Sequence, residues 1–263
     1  MWKRIDVIFT LKSPLHIGYL PFKGSVISPT RRYVPGKNFW GAITKRTTEH
    51  LFENPQGGNY KNIGNQIKYN FRFSYFYLYD DKTIYTPSFA DDKLKYGNLL
   101  LLEFEHNFIG SRVLTAIDKN SGTAKDESLH EIEFIKDKYI DKNGEVKTAK
   151  IIGCIWIKKE TKLDNEDVKI ENNGIFINGF NIIEELTLGG ELGYGFGLVK
   201  LESLIPNGNL FPIKEVSLER DNILIEIKEN QPIISHLQYD KSLQFKGDIE
   251  ILAGRGYFDV EKT

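Results

Sequence analysis

The chain opens on an alternation of apolar and polar residues. In the segment KRIDVIFTLKSP (3–14), every second residue from 5 to 11 is apolar, which predicts a half-buried strand that ends at Pro14. A loop follows, and the segment KNFWGAITKRTTEHLF (37–52) then carries apolar and small residues at helical spacing. The pattern therefore predicts a first strand, a loop and a first helix.

Aromatic residues dominate the segment NFRFSYFYLYDD (70–81), where they alternate along a predicted strand. The members of this row are Phe71, Phe73, Tyr75, Tyr77 and Tyr79. We interpret the row as part of the core, and the alternative is a platform on which RNA bases stack. The segment before it, ENPQGGNYKNIGNQ (53–66), is rich in turn residues and predicts a mobile connection.

Further apolar segments predict more strands and a short helix. The strand segments are NLLLLEFEHNF (98–108), HEIEFIK (130–136), KIIGCIWIKKE (150–160) and GFGLVKLESL (195–204). In NIIEELTL (181–188), Asn181 precedes Glu184 by three residues, and this capping-box spacing predicts a helix. The tail adds strand-like pieces such as NILIEIKE (222–229) and ends in GDIEILAGRGYFDVEKT (247–263). This order fits the split βαβ plan, an antiparallel sheet with helices on one side, and RRM-like sheets bind RNA on the same plan.

Composition narrows the class of protein. Hydrophobic residues make up 40% of the 263 residues, which is enough for a core, and no apolar run approaches the roughly 20 residues that span a bilayer. The first residues carry charge where a signal peptide has a continuous apolar stretch, so we expect a cytoplasmic protein with no membrane partner. The single cysteine, Cys154, excludes an internal disulfide, and its predicted buried strand indicates a structural thiol.

Positive charge is concentrated locally although the formal net charge is −1. A surface for nucleic acid would therefore arise from segregation of charge and not from the overall balance. Basic residues cluster in the first loop and first helix, at Lys23, Arg31, Arg32, Lys37, Lys45 and Arg46. The start of the helix also offers unpaired N–H groups and a positive dipole end to a phosphate. The alternative is an ordinary solvated helix surface.

Glycine accounts for five of the first twelve residues of LTLGGELGYGFGLVKLE (186–202). A P-loop would end in Gly-Lys-Ser/Thr and begin a helix, and a dinucleotide fingerprint would follow a strand, whereas this segment leads into a strand. Glycines remove the Cβ atoms that hold a phosphate away, and successive free N–H groups can form an anion-binding concavity. The alternative is a tight turn that lets a strand and a helix pack closely.

Four stretches together resemble the RAMP superfamily, the RRM-like proteins that build CRISPR effector ribonucleoproteins. They are SPLHIG (13–18), YVPGKNFWGAI (33–43), RVLTAIDKNSGTAKDESLHEIEFI (112–135) and GGELGYGFGLVKLE (189–202). The third stretch is similar to the type III members in particular. The resemblance implies a ferredoxin-like fold and the partners guide RNA (crRNA), target RNA in the assembled complex, and other CRISPR effector subunits.

We therefore predict an α+β protein with a ferredoxin-like (RRM-like) antiparallel sheet, helices on one face, inserted hairpins and a C-terminal β-rich extension. Residues 1–205 form the predicted RRM-like RAMP domain, with an inserted β-hairpin region at about 55–110. Residues 206–263 form the predicted extension, which lies outside the resemblance.

The resemblance also implies where guide RNA runs: along the first loop, the first helix, the 112–135 stretch and the glycine-rich segment. The residues that it implies as RNA-binding are His16, Lys23, Arg31, Arg32, Lys37, Lys45, Arg46, Arg112, Lys119, Lys125, Gly189, Gly190, Gly193, Tyr194, Gly195, Phe196 and Gly197.

Cleavage activity is not expected from this sequence. Slicing members of the family carry an aspartate in the loop after the first strand, and residues 17–32 contain no Asp or Glu. Asp118, in AIDKNSGT, suits a turn through its side-chain acceptor, and His16 fits the LHIG pattern of non-cleaving members. We expect a non-catalytic subunit without metal or cofactor, either of the backbone type or capping the 5′ handle of the guide. The alternatives are a guide-processing or target-cleaving endoribonuclease of the same superfamily and a protein-interaction scaffold without RNA contact.

Overall fold

The computed structural model describes residues 1–18, 26–119, 121–125, 128–210, 214–217, 222–227, 233–236, 240–242 and 244. The helices of these residues are α1 (Gly36–Leu51), α2 (Gly57–Asn70), α3 (Leu101–Phe108) and a 3₁₀ helix (Leu192–Tyr194). The strands are β1 (Trp2–Leu11), β2 (Ile27–Ser28), β3 (Tyr33–Val34), β4 (Phe71–Phe73), β5 (Phe76–Tyr79), β6 (Pro87–Ala90), β7 (Lys93–Tyr96), β8 (Leu99–Leu100), β9 (Ile109–Leu114), β10 (His130–Ile135), β11 (Lys138–Ile140), β12 (Val146–Thr148), β13 (Lys150–Lys158), β14 (Lys162–Leu163), β15 (Glu166–Asp167), β16 (Lys169–Glu171), β17 (Gly174–Ile177), β18 (Phe180–Asn181), β19 (Glu185–Thr187), β20 (Leu198–Pro206), β21 (Lys214–Ser217) and β22 (Leu224–Glu226).

One antiparallel sheet organises the chain. Its strand order is β19-β20-β1-β13-β5-β3, and β4 pairs with β13 as β5 does. β1 pairs with β13 on one side and with β20 on the other. In this order the strands β20, β1, β13 and β4–β5 take the four positions of a ferredoxin-like sheet, and α1 and α2 lie in the connection between β1 and β4. The predicted α+β, ferredoxin-like class is confirmed.

α1 covers one face of this sheet because its apolar residues follow helical spacing. Phe39 and Ile43 are fully buried, and the Phe39 ring centroid lies 3.7 Å from that of Phe76 and 5.4 Å from that of Phe9. The predicted first strand and first helix therefore meet in the main core. Within the described ranges, no helix combines the length and apolar character needed to cross a membrane.

The connection predicted at 53–66 is instead largely helical, because residues from Gly57 onward form α2. Ile63 and Ile67, one helical turn apart, are both fully buried. A Cβ at Gly64 would lie 3.1 Å from the Trp40 ring, so this glycine allows α2 to approach α1 closely. The sequence pattern does not predict this helix, because its composition is turn-rich and its buried face has only two large apolar side chains, both isoleucines.

The segment 98–108, predicted as a strand, forms the two-residue strand β8 and then α3. Phe104 and Phe108 are both buried at a spacing of one helical turn, and Glu103 Oε2 accepts a hydrogen bond from Leu100 N at 2.8 Å. A run of four leucines fits either element, and the spacing of the two phenylalanines decides for the helix. The region 55–110 thus contains two helices in addition to its short strands.

The aromatic row is divided between two strands, β4 and β5, and not one strand as predicted. Ser74 interrupts it, because its hydroxyl donates to Tyr75 O at 2.7 Å and accepts from Cys154 N at 2.8 Å. Tyr75 and Tyr77 are both buried. The interpretation of the row as core is confirmed for Phe71, Tyr75 and Tyr77, and Phe73 and Tyr79 are partly buried against the core.

The helix predicted at 181–188 is wrong, since β18, a turn and β19 occupy this segment. Asn181 does not cap a helix: its Oδ1 accepts from Ile175 N at 3.3 Å and from Ile183 N at 3.2 Å. Leu186 then pairs with Val199 at the edge of the sheet. Asparagine favours turns as well as helix caps, and here the Asn181 side chain stabilises the turn beside β17 instead of a helix.

Residues of the tail cover the second face of the sheet. Trp156 Nε1 donates to Glu215 Oε1 at 2.6 Å, and the Tyr77 hydroxyl donates to Ile233 O at 3.0 Å. Ile234 is itself buried in the cluster on this face. An RRM stacks bases on its exposed sheet face, whereas this face is occupied by the chain's own tail in the described residues. The strand-like piece predicted at 222–229 contains β22, and the end of the tail at 247–263 lies outside the described residues.

A buried ion pair lies on the same face. Asp6 is fully buried, and its carboxylate accepts hydrogen bonds from Arg4 Nε at 2.8 Å, Cys154 Sγ at 3.1 Å and Leu210 N at 3.0 Å. Burial raises the pKa of the Cys154 thiol, and the charge of Asp6 raises it further. Cys154 is therefore a buried structural thiol, as predicted.

Candidate nucleic-acid interface

The glycine-rich segment folds back against the end of β1. Gly190 N donates to His16 O at 2.9 Å, and Gly197 N donates to Pro14 O at 2.8 Å. Leu188 N donates to Gly197 O at 2.9 Å, which closes the base of the segment. The segment is thus a loop fixed at both ends to the SPLHIG stretch.

Two of its glycines are required by packing. Gly189 has a φ of +80° and Gly197 a φ of +92°, a region that L side chains rarely adopt. A Cβ at Gly189 would overlap His16 O, and a Cβ at Gly197 would overlap Leu188 O. The close-packing interpretation of the segment therefore holds at these two positions.

The tip of the loop, residues 192–195, is open. A Cβ at Gly193 or Gly195 would meet no other group within 4 Å, and the Tyr194 side chain is 53% exposed. Gly195 N donates to Leu192 O at 3.0 Å. The N–H groups of Gly190, Gly195 and Gly197 are therefore used within the protein and do not contribute to an anion-binding concavity.

His16 is buried beside this loop. Its ring Nδ1 lies 2.6 Å from Glu133 O in β10, and the residue is 5% exposed. Thr30 N also donates to Glu133, at 3.2 Å from Oε2. The sequence does not single out Glu133, because its position in an alternating strand gives no sign of these long-range contacts.

The strands β9 and β10 bring a third predicted stretch to the loop. Phe196 is buried against Phe134, with ring centroids 5.3 Å apart, and the Arg112 guanidinium lies 5.7 Å from the Phe196 ring centroid. Arg112 itself is exposed. An exposed cation thus lies beside the glycine-rich segment, although Arg112 and Phe196 are 84 residues apart in the chain.

The connection between β9 and β10 carries two more predicted cations, Lys119 and Lys125, and both are exposed. Asp118 stabilises this connection, because its Oδ1 accepts from Ser121 N at 2.9 Å and from Ser121 Oγ at 3.0 Å. The predicted turn role of Asp118 is confirmed.

The arginines of the first loop have structural contacts. Arg31 is 3% exposed, and its guanidinium donates to Gly18 O. Arg32 Nε donates to Glu105 Oε1 of α3 at 2.8 Å. The chain therefore uses both arginines to fix the loop. Lys23, predicted with them, lies outside the described residues.

The three cations of α1 differ in environment. Lys37 and Lys45 are exposed, and Lys45 Nζ lies 3.9 Å from Glu49 Oε1. Arg46 Nε donates to Asn181 O at 3.3 Å, and its guanidinium lies 4.7 Å from the Phe180 ring centroid. Arg46 therefore joins α1 to β18. Among the described residues, no group of three or more His, Cys, Asp or Glu side chains is placed to hold a metal ion.

No family model and no curated protein matches the chain. Similar chains occur in cryo-EM structures of Type III-B Cmr-beta. One, from Cmr-beta bound to cognate target RNA and AMPPnP, is 14% identical with a TM-score of 0.46, and the match covers 76% of this chain and 62% of that chain. A chain from Cmr-beta bound to cognate target RNA is 11% identical with a TM-score of 0.42. A chain from the apo state of Cmr-beta is 8% identical with a TM-score of 0.44. Each of these two matches covers 76% of this chain and 96% of the other.

Proposed function

We propose that this chain is a non-catalytic RNA-binding subunit of a type III CRISPR ribonucleoprotein, in which it holds guide RNA beside the glycine-rich segment and the β9–β10 hairpin. The observation that supports this is the meeting of three RAMP-like stretches at one place. His16 contacts both Gly190 and Glu133, and Phe196 contacts both Phe134 and Arg112. Stretches that are distant in sequence thus lie side by side, so one ligand can contact all three of them.

The exposed groups on this surface suit a single RNA strand. Arg112, Lys119 and Lys125 offer positive charge to phosphates, and exposed Tyr194 at the loop tip offers a ring to a base. Gly190 and Gly197 contribute by fixing the loop, because their N–H groups donate to His16 O and Pro14 O and are not available to a phosphate. Arg31, Arg32 and Arg46, which the resemblance implies as RNA-binding, donate to oxygens of the protein itself, so their proposed role is to position the first loop and α1.

The test removes the exposed cations of the hairpin. The chain purified with its native partners should carry guide-length RNA, and a variant with Arg112, Lys119 and Lys125 changed to alanine should carry less. The dependence of log affinity on log salt should flatten by roughly 0.7 for each phosphate that the variant no longer neutralises, or about 2 in total. Folding should change by no more than about 0.5 kcal/mol because all three side chains are exposed.

A matched control changes three exposed lysines elsewhere, Lys93, Lys138 and Lys142, to alanine. This variant has the same net charge as the hairpin variant but should retain its RNA and its salt dependence. Equal salt slopes for the two variants would remove the hairpin from the RNA path. A parent complex without guide-length RNA would contradict the proposed function itself.

We also expect no RNA cleavage that depends on this chain. The His16 ring is enclosed between Glu133 O and the glycine-rich segment, so it does not reach a 2′-hydroxyl, and Asp118 is used by its turn. Complexes carrying Asp118→Ala or His16→Gln should cut guide and target RNA at the parent rate, or not at all where the parent does not cut. Loss of cutting in either variant with RNA still bound would show a catalytic role.

A further inference from the structure

A pocket of about 570 Å³ lies between the start of α1, α2, β4 and residues 235–236. Its walls combine cations with aromatic rings: Lys37, Lys68, Arg72, Trp40, Tyr75 and His236. Among the described residues that line it, none is acidic. It shares no lining residue with the glycine-rich segment or with the β9–β10 hairpin.

The aromatic walls are held in place by the fold. Trp40 Nε1 donates to Gly64 O at 2.8 Å, which orients the indole, and Trp40 remains 38% exposed. The Tyr75 ring stacks on Tyr33 with centroids 4.8 Å apart and an interplanar angle of 14°. Fixed aromatic surface inside a pocket favours a flat ligand, because the side chains give up little rotational freedom when the ligand binds.

The cations are positioned at the same pocket. Arg72 Nη1 donates to Lys68 O at 2.5 Å and to Phe71 O at 2.9 Å, so its guanidinium is fixed where α2 passes into β4. Lys37 is exposed, but desolvation by the neighbouring protein atoms lowers its pKa, and the nearby charge of Arg31 lowers this pKa further. A bound anion beside Lys37 would offset this repulsion.

We propose that this pocket binds a nucleotide, with the base against the exposed indole of Trp40 and the phosphate held by Lys37 and Lys68. Its volume lies within the range of roughly 300–1,000 Å³ that is usual for small-ligand sites. Base stacking on aromatic rings and phosphate binding by cations are the two interactions that such a ligand needs. The nucleotide comes either from an RNA strand or from the free pool. The proposal does not depend on guide binding, because free nucleotides test it.

The test titrates the full chain with a ribonucleoside monophosphate and follows tryptophan fluorescence. Of the three tryptophans, Trp40 is exposed, whereas Trp2 and Trp156 are buried, so binding should quench the emission in a saturable way. Lys68→Ala should weaken binding about tenfold, the change expected for one charge-assisted hydrogen bond. Lys93→Ala, which removes an exposed lysine elsewhere, should leave the affinity unchanged.

Three further ligands identify what the pocket recognises. The nucleoside without phosphate and inorganic phosphate should both bind more weakly than the monophosphate. A tetraribonucleotide that binds more tightly than the monophosphate would identify an RNA strand as the source, and equal affinity would identify the free nucleotide. The proposal is overturned if neither nucleotide ligand quenches saturably, or if Lys68→Ala binds as the parent does. An acidic peptide that binds where nucleotides do not would assign the pocket to a protein partner instead.

Discussion

Replacing Asp6 by alanine should destabilise the folded chain by about 3–5 kcal/mol. The carboxylate is fully buried and accepts hydrogen bonds from Arg4 Nε and from Leu210 N. Its removal leaves the buried guanidinium of Arg4 without this anion and removes the acceptor of a tail N–H group. Denaturant unfolding followed by circular dichroism measures the loss as a lower midpoint at an unchanged slope.

Two variants separate this effect from a general sensitivity to substitution. Glu49→Ala removes an exposed partner of Lys45 and should cost no more than about 1 kcal/mol. The double variant Arg4→Met, Asp6→Leu removes both charges and should be less destabilised than Asp6→Ala, because no unpaired charge stays buried. An Asp6→Ala loss as small as that of Glu49→Ala would show that the pair contributes little.

The contrast between α1 and α2 explains which elements the sequence predicts. The apolar stripe of α1 runs through several turns and includes buried Phe39 and Ile43, so periodicity alone identifies it. In α2 only Ile63 and Ile67 carry the buried face within a turn-rich composition, and contacts with α1 stabilise the helix. Both helices are buried by tertiary contacts, and periodicity predicts the one whose buried face is a long apolar stripe and misses the one whose buried face has two large apolar side chains.

The candidate site shows the same limit for charges. The sequence identifies Arg31, Arg32 and Arg112 as equivalent cations, since each lies in a RAMP-like stretch or beside one. Arg32 is paired with a glutamate 73 residues away, and Arg31 is buried, whereas Arg112 is exposed. Which cations face solvent is decided by long-range partners, and no local pattern in the sequence records them. The glycine-rich segment is identifiable because close backbone contacts restrict Gly189 and Gly197 to glycine, and glycine is visible in the sequence even where the contacting residue is not.

The second large effect should come from Gly197→Val. The residue has a φ of +92°, and a Cβ would overlap Leu188 O, so the substitution adds backbone strain of about 1–3 kcal/mol to an overpacking cost of about 1–3 kcal/mol. Relief of that strain requires the segment to move away from Pro14, to which Gly197 N donates. The variant should therefore unfold at lower temperature and should also lose guide RNA when purified with its partners.

Substitutions at the open tip provide the matched controls. Gly193→Ala meets no neighbouring group, and Gly193 is not among the residues with positive φ, so stability and RNA retention should stay near those of the parent. Gly195→Ala has equal space but a φ of +80°, so it should cost about 1–2 kcal/mol without displacing the segment. The melting temperature should fall in the order Gly193→Ala, Gly195→Ala, Gly197→Val. The RNA retained per mole of protein, measured below the melting temperature, reports RNA binding. The contrary outcome is a Gly197→Val chain that is folded at the assay temperature and holds as much RNA as Gly193→Ala. That result would show that RNA binding does not need the glycine-rich segment to be closed against β1.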